Sequence, residues 1–266
     1  MKKLLIFSLI GLLAISCKKE NEVSPTTTST TTCTLDGFTD YLGNEVKINS
    51  LDASGRITQA TVKQTQGQVL TVVSTFVYET NGQLKSGTMT FRDESGRQIA
   101  SQPQTYSYEN GLLTTAESRC GCAQNSVAQR ITLRYNAAKQ LIERTQDSPG
   151  STEKYVTVYG YDTKGNVLKE TSTMGGISSS EFTYTYDDAK HPHQLLKGLP
   201  LNMFMGLSPW PVNVPMSVRA EYLDEKGQKQ VQDLKRTDLK ANATGYATSV
   251  SYGPGINESY ALSNCN

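Results

Sequence analysis

The sequence predicts an all-β domain: an antiparallel up-and-down meander curling into a large sheet or barrel-like structure, with an apolar loop or short helix as a plug. Three observations carry this. A tyrosine followed by an acidic or amide residue and a turn recurs at Tyr78, Tyr108, Tyr135, Tyr161 and Tyr186, with spacings of 30, 27, 26 and 25 residues. Between these points the residues alternate in character, as where Ile131, Leu133 and Tyr135 interleave with Arg130, Thr132 and Arg134. One stretch, residues 191–218, abandons the alternation and carries a single charge, Lys197.

The chain opens Met-Lys-Lys, runs through apolar residues from Leu4 to Ile15, and reaches Ser16 and Cys17. A basic start and an apolar run too short to cross a bilayer read as a signal peptide over residues 1–16. Leu13-Ala14-Ile15-Ser16-Cys17 resembles the lipobox of bacterial lipoproteins. That resemblance implies lipidation of Cys17, a membrane held through this lipid anchor as partner, and a place in the cell envelope. Acyl chains anchor by burying methylenes, and more than one chain is needed for a stable hold. The charged run Lys18–Glu22 resembles the export tag of outer-membrane lipoproteins that reach the cell surface. Residues 23–32 are mostly Thr and Ser with little to bury, so residues 17–32 are expected to form a flexible linker.

Residues 33–266 are then one domain, long enough for a substantial core. Loss of Lys2 and Lys3 with the signal peptide turns a formal charge of +1 into −1. A balanced chain without a basic cluster argues against a nucleic-acid partner.

Four cysteines follow Cys17: Cys33, Cys120, Cys122 and Cys265. In an oxidising compartment they permit three pairings. A Cys33–Cys265 bridge would clamp the two ends of the domain and close a very long loop, where the unfolded chain loses most entropy. Cys120 and Cys122 are then left to pair in a tight local ring or to stay reduced. A redox or metal role for Cys120-Gly121-Cys122 lacks further ligands and the usual two-residue spacing.

Each tyrosine unit has the chemistry of a reversal, because Asp, Asn and Gly supply side-chain hydrogen bonds and positive φ where a hairpin turns. Examples are Tyr78-Glu79-Thr80-Asn81-Gly82, Tyr108-Glu109-Asn110-Gly111 and Tyr186-Asp187-Asp188-Ala189-Lys190. The opposite reversals are Asp93–Gly96, Asp147–Gly150 and Met174–Ile177. On the strands, Tyr155, Thr157, Tyr159 and Tyr161 share one face with valines opposite, and Phe182, Tyr184 and Tyr186 share another. Weaker copies lie at Leu51–Ile57, Tyr222–Gly227 and Ala243–Tyr246, for roughly 12 to 15 strands in all, near the size at which an open sheet curls or closes.

The unit Tyr159-Gly160-Tyr161-Asp162-Thr163-Lys164-Gly165-Asn166-Val167-Leu168 resembles the YD repeats of Rhs-type proteins. Across residues 50–260 the arrangement also resembles an outer-membrane lipoprotein family whose domain is porin-like. That resemblance implies a β-barrel-like meander. It implies neither a toxin shell, for which the chain is far too short, nor a pore: strands such as Gln59–Gln66 are polar on both faces, whereas membrane strands need apolar residues at every second position.

In residues 191–218 proline and glycine forbid a long helix, although one or two turns around Leu199–Leu207 fit. So apolar a segment is expected inside the curled sheet, as a plug or as a lid in which Met203, Phe204, Met205 and Trp210 contact a ligand. His191 and His193, the only histidines, lack the further ligands of a zinc site, and no metal or cofactor is expected. Asp187 and Asp188 read as turn residues.

The sequence has no Gly-Xaa-Ser-Xaa-Gly elbow, no His-Glu-Xaa-Xaa-His and no phosphate-binding glycine loop, and nothing selects a carboxylate pair for glycoside hydrolysis. The expectation is a non-enzymatic, membrane-tethered envelope lipoprotein that binds or scaffolds a protein or glycan. The alternative is a carrier of a small apolar ligand or glycan beneath residues 191–218, which an enclosed cavity there would favour.

Overall fold

The structure of the protein is a computed structural model that describes residues 33–64, 69–120, 126–148, 150–203, 207–224 and 226–265. Residues 1–32, on which the expected signal peptide, Cys17 and linker fall, lie outside the described residues, as do Cys122, Phe204 and Met205. Seventeen strands are described: β1 (Thr34–Thr39), β2 (Glu45–Leu51), β3 (Ile57–Gln64), β4 (Leu70–Tyr78), β5 (Leu84–Arg92), β6 (Gln98–Glu109), β7 (Leu112–Arg119), β8 (Val127–Tyr135) and β9 (Leu141–Asp147), followed by β10 (Tyr155–Tyr161), β11 (Val167–Met174), β12 (Ile177–Lys190), β13 (Asn213–Leu223), β14 (Lys229–Lys235), β15 (Asp238–Ala241), β16 (Ala247–Ser251) and β17 (Asn257–Ser263). The count exceeds the expected one because the short strands at both ends lack the tyrosine signature.

One local device makes most of the reversals. Asp52 Oδ1 accepts the N–H of Ser54 at 2.8 Å and of Arg56 at 3.0 Å, while Gly55 sits at φ 75°. Asp162 does the same for Lys164 and Asn166, Asp224 for Lys226 and Gln228, and Asn242 for Thr244 and Tyr246. A short acceptor side chain thus satisfies the N–H groups two and four positions on, and the residue three on takes the left-handed conformation that glycine tolerates. The repeat's tyrosines then join hairpins together. Tyr78 Oη donates to Ile57 O at 2.7 Å, Tyr161 Oη to Leu141 O at 2.6 Å and Tyr186 Oη to Val167 O at 2.7 Å, in each case the first carbonyl of the preceding strand. These tyrosines are structural, and burial raises all three hydroxyls above the ordinary phenol value.

The Tyr186 unit departs from expectation. Instead of turning, β12 runs on through Asp187 and Asp188 to Lys190, with register shifts that pair Tyr186 with Pro215 and Lys190 with Asn213. This unit has no glycine, and Asp187 is drawn off by an ion pair with Arg236.

Among the described residues every ladder between strands is antiparallel, and consecutive strands pair from β1 through to β14. Beyond a break, β15, β16 and β17 pair in turn, and β17 returns to β1 with Thr34 opposite Ser263 and Phe38 opposite Tyr260. The sheet is therefore curled but not closed by hydrogen bonds. No ladder between described residues joins β14 to β15, and the chain itself spans the opening: Arg236 N donates to Met216 O beside β14, and Thr237 N to Ser251 O of β16. Beside the returning ladder, Cys33 and Cys265 are disulfide-bonded, the pairing that clamps the ends. Cys120 is also disulfide-bonded.

So many strands enclose more space than their inward side chains fill, and the segment between β12 and β13 supplies the remainder. Leu195 and Leu196 pack against a cluster that includes Phe38, Val214 and Val250; Leu201 and Leu207 belong to one with Leu113, Ile131 and Leu133; Leu199 belongs to one with Ile57, Phe76 and Leu84. One loop thus ties all three clusters together, as a plug should. Burying a side chain of this size contributes about 1.5–3 kcal/mol. The plug is pinned at both ends: Ile57 N donates to Lys197 O at 3.3 Å, and Asn213 N to Asn166 Oδ1 at 2.9 Å, within a buried asparagine pair. A 3-10 turn over Pro192–Leu195, in which His191 Nδ1 accepts the N–H of His193, precedes the span Leu199–Leu207 where the sequence suggests helical turns; within that span Met203 is also 3-10, and residues 204–206 lie outside the described residues.

Candidate functional site

Inward-facing residues line a cavity of about 300 Å³ between the plug and two walls of the sheet. The first wall is β10 to β12. Glu170 on β11 lies opposite Tyr159 of β10 on one side and Phe182 of β12 on the other, so a carboxylate sits in a row of rings. Period-two alternation on β12 stacks Phe182, Tyr184 and Tyr186, with ring centroids 6.5 and 6.3 Å apart. The second wall is made by Phe38 of β1, Asp40 and Tyr41 of the turn after it, and Glu258 and Tyr260 of β17. His191, His193, Asn202 and Ser208 of the plug complete the lining, with Pro209, Pro211 and Pro215.

The polar groups differ in how well they are satisfied. Asp40 is consumed locally by Leu42 N, Asn44 N and Asn44 Nδ2, each at 2.9 Å. Tyr260 Oη donates to Glu258 Oε2 at 2.7 Å and lies 3.2 Å from His191 Nε2. Because His191 Nδ1 already accepts a backbone N–H, its proton resides on Nε2, so His191 donates to Tyr260, which donates to Glu258. His193 is 7 % exposed, and neither ring nitrogen has a hydrogen-bond partner. Its ring packs edge-on to Phe38, with centroids 4.4 Å apart, and to Trp210, at 5.1 Å. Glu170 forms no hydrogen bond or ion pair with another described residue.

Burial governs the ionisation. It pushes His193 down to about 3 and His191 well below the ordinary imidazole value, the latter helped by His193, so both rings are neutral at physiological pH. Burial raises Glu170, with the Arg144 guanidinium pulling it partly back, and raises Glu258, against which the Tyr260 hydrogen bond works. Such a chamber offers flat aromatic surface, a neutral imidazole with an unused donor and acceptor, and two acidic groups. No group of three or more potential metal ligands occurs among the described residues.

Of the ligand contacts expected from sequence, Trp210 is core: its Nε1 donates to Leu199 O at 3.0 Å, and it stands behind His193 without lining the cavity. Met203 packs between two of the core clusters and borders a smaller cavity of about 150 Å³ with Tyr106, Ile131 and Leu207. Phe204 and Met205 lie outside the described residues. The residues sequence reasoning missed are Glu170, Glu258 and Tyr260, while His193 was weighed only as a metal ligand. The shared face of Phe182, Tyr184 and Tyr186 was the one visible signal.

No protein-family model matches the chain, and no curated protein matches it. Among solved structures, it is similar to a porin-like protein from Bacteroides uniformis at 15% identity and a TM-score of 0.49, covering 86% of this chain and 96% of that one. A porin-like protein from Bacteroides vulgatus is similar at 12% identity and a TM-score of 0.37, over 86% of this chain and 98% of that one. A chain of the Photorhabdus luminescens Tc holotoxin pore is similar at 12% identity and a TM-score of 0.33, over 78% of this chain and 14% of that one.

Proposed function

We propose that this protein is a non-enzymatic, lipid-anchored binding protein of the cell envelope, whose cavity beneath the plug holds a small molecule. The observation that carries this is His193: a buried imidazole with two unpartnered nitrogens, facing an aromatic chamber of about 300 Å³. A buried polar group without a partner costs about 1–3 kcal/mol, a cost that a ligand's hydrogen bond removes. The cavity lies at the lower end of the range for small-molecule sites, and its mix of rings and a few convergent polar atoms is what such sites share. A non-catalytic role is supported by His191, whose lone pair is committed to the backbone and so is not free to act as a base. The envelope location rests on the signal peptide and on Cys17.

Trp210, the only tryptophan, reports on the site because it packs edge-on against His193. Titrating the protein with a set of small glycosides, amines and amphiphiles while following Trp210 emission is expected to give saturable changes for at least one class. The variant Ser208→Phe, which fills the cavity, should abolish them without lowering the melting temperature. A silent screen, or an unaltered response in S208F, rejects the reading. For the anchor, Cys17→Ser should move the protein from the membrane to the soluble fraction, and a wild-type protein found soluble would refute it.

A further inference from the structure

The charge of the lining narrows the ligand class. The cavity presents three carboxylates, Asp40, Glu170 and Glu258, and no lysine or arginine lines it. Its two imidazoles are neutral, so no positive group in the wall balances the acids. Asp40 is satisfied by its own turn, which leaves Glu170 and Glu258 as the carboxylates open to a partner. Around Glu170 stand Tyr159, Phe182, Tyr184 and Tyr186, rings whose faces carry negative potential. Arg144, the nearest guanidinium, lies over the ring of Tyr155 at 5.7 Å and offsets only part of the burial of Glu170. An anion would be repelled by both carboxylates, and a neutral ligand would leave Glu170 without a partner and Glu258 with its Tyr260 hydrogen bond alone.

We propose that the cavity is a site for a small organic cation, an alkyl- or quaternary ammonium group held against the aromatic row and between Glu170 and Glu258, with a polar end reaching His193. This rests on the cavity being a ligand site at all. Aromatic faces attract ammonium groups most strongly where water is excluded. An entering cation also favours the ionised form of the two carboxylates, which burial opposes. The unpartnered imidazole supplies either a donor or an acceptor, which suits an amino alcohol or a similar bifunctional molecule.

Two matched pairs of probes isolate the charge: choline against 3,3-dimethylbutan-1-ol, and n-butylammonium against butan-1-ol. Each is titrated calorimetrically into the mature protein and into Glu170→Gln and Glu258→Gln, with melting temperatures confirming that the variants fold. The expected result is that at least one cation binds roughly thirtyfold more tightly than its neutral counterpart. Both glutamine variants should erase most of that preference, bringing the cation's affinity close to that of its neutral counterpart measured on the same variant. If the alcohols or a methyl glucoside bind as tightly as the cations, or if E170Q and E258Q both leave the preference intact, the inference fails while the cavity remains a binding site. If neither cation binds, the inference also fails, and the Trp210 screen then decides whether the broader reading falls with it.

Discussion

The disulfide offers the sharpest test of how this fold is held. Cys33 and Cys265 are 232 residues apart in sequence, so the bridge constrains nearly the whole domain. In the folded state its contribution is small, because five residue pairs of the β1–β17 ladder already hold the ends together. Its effect belongs to the unfolded chain, where closing a loop of this length removes entropy worth roughly 5 kcal/mol at room temperature on the chain-entropy relation. With a urea dependence of roughly 3 kcal/mol per M for a domain of this size, the double variant Cys33→Ala/Cys265→Ala should lower the unfolding midpoint by roughly 1.5–2 M. Trp210 fluorescence serves as the probe, and the dependence on urea should steepen as the released unfolded chain expands. A midpoint shift below roughly 0.3 M at unchanged slope would refute the reasoning. The ends would then be held by the ladder alone.

Three further outcomes follow from the packing. Gly198→Ala places a methyl 2.7 Å from Arg56 Cβ and 2.9 Å from Tyr78 Oη at φ 85°, and should cost about 3 kcal/mol in urea melts, whereas Gly96→Ala, at φ 81° in open space, should cost about 1–2 kcal/mol. Tyr161→Phe strips the hydroxyl from Leu141 O and should lose about 1–2 kcal/mol, against no measurable loss for Tyr222→Phe on the surface. The buried histidines should make the protein acid-labile: with folded His193 at about 3 and an unfolded value near 6.5, the unfolded chain binds more protons, so stability present above pH 6.5 is lost as pH falls toward 3. That is about 2 kcal/mol by pH 5, and because Glu170 and Glu258 act with the opposite sign, the difference between wild type and His193→Phe across pH 5–7.5 is the quantity to measure.

What the sequence made legible is what depends on neighbours in the chain. Turns built by an acceptor reaching two and four residues on, strands alternating with period two, and a tyrosine closing each hairpin are all local, so the meander could be read directly. The Tyr186 unit shows the limit. It carries the tyrosine and the acid, yet Arg236, 49 residues away, takes Asp187 and the strand continues. The plug segment was recognisable by its apolar composition, but which of its residues face a core cluster and which face a void depends on walls contributed by β1, β10 to β12 and β17. Those walls meet only because β17 returns to β1. Leu199, Leu201 and Trp210 find apolar walls, whereas His191 and His193 of the same segment face the chamber.

This division explains why the cavity survives in a domain that otherwise fills its interior. Leu and Met side chains from the plug reach all three clusters and complete them. At the remaining space the plug offers Ser208, Pro209 and Pro211, residues without the length to fill it, while the facing walls place Glu170 and Glu258 where apolar side chains would pack more favourably. A buried, unpaired carboxylate is a standing cost to stability. Glu170 without a hydrogen-bond partner among the described residues, together with an orphaned imidazole in the same chamber, forms a local violation of good packing, and in a chain whose turns, ladders and clusters otherwise agree with one another such violations concentrate at binding sites. The defects of this core therefore mark the candidate site more sharply than its repeats do.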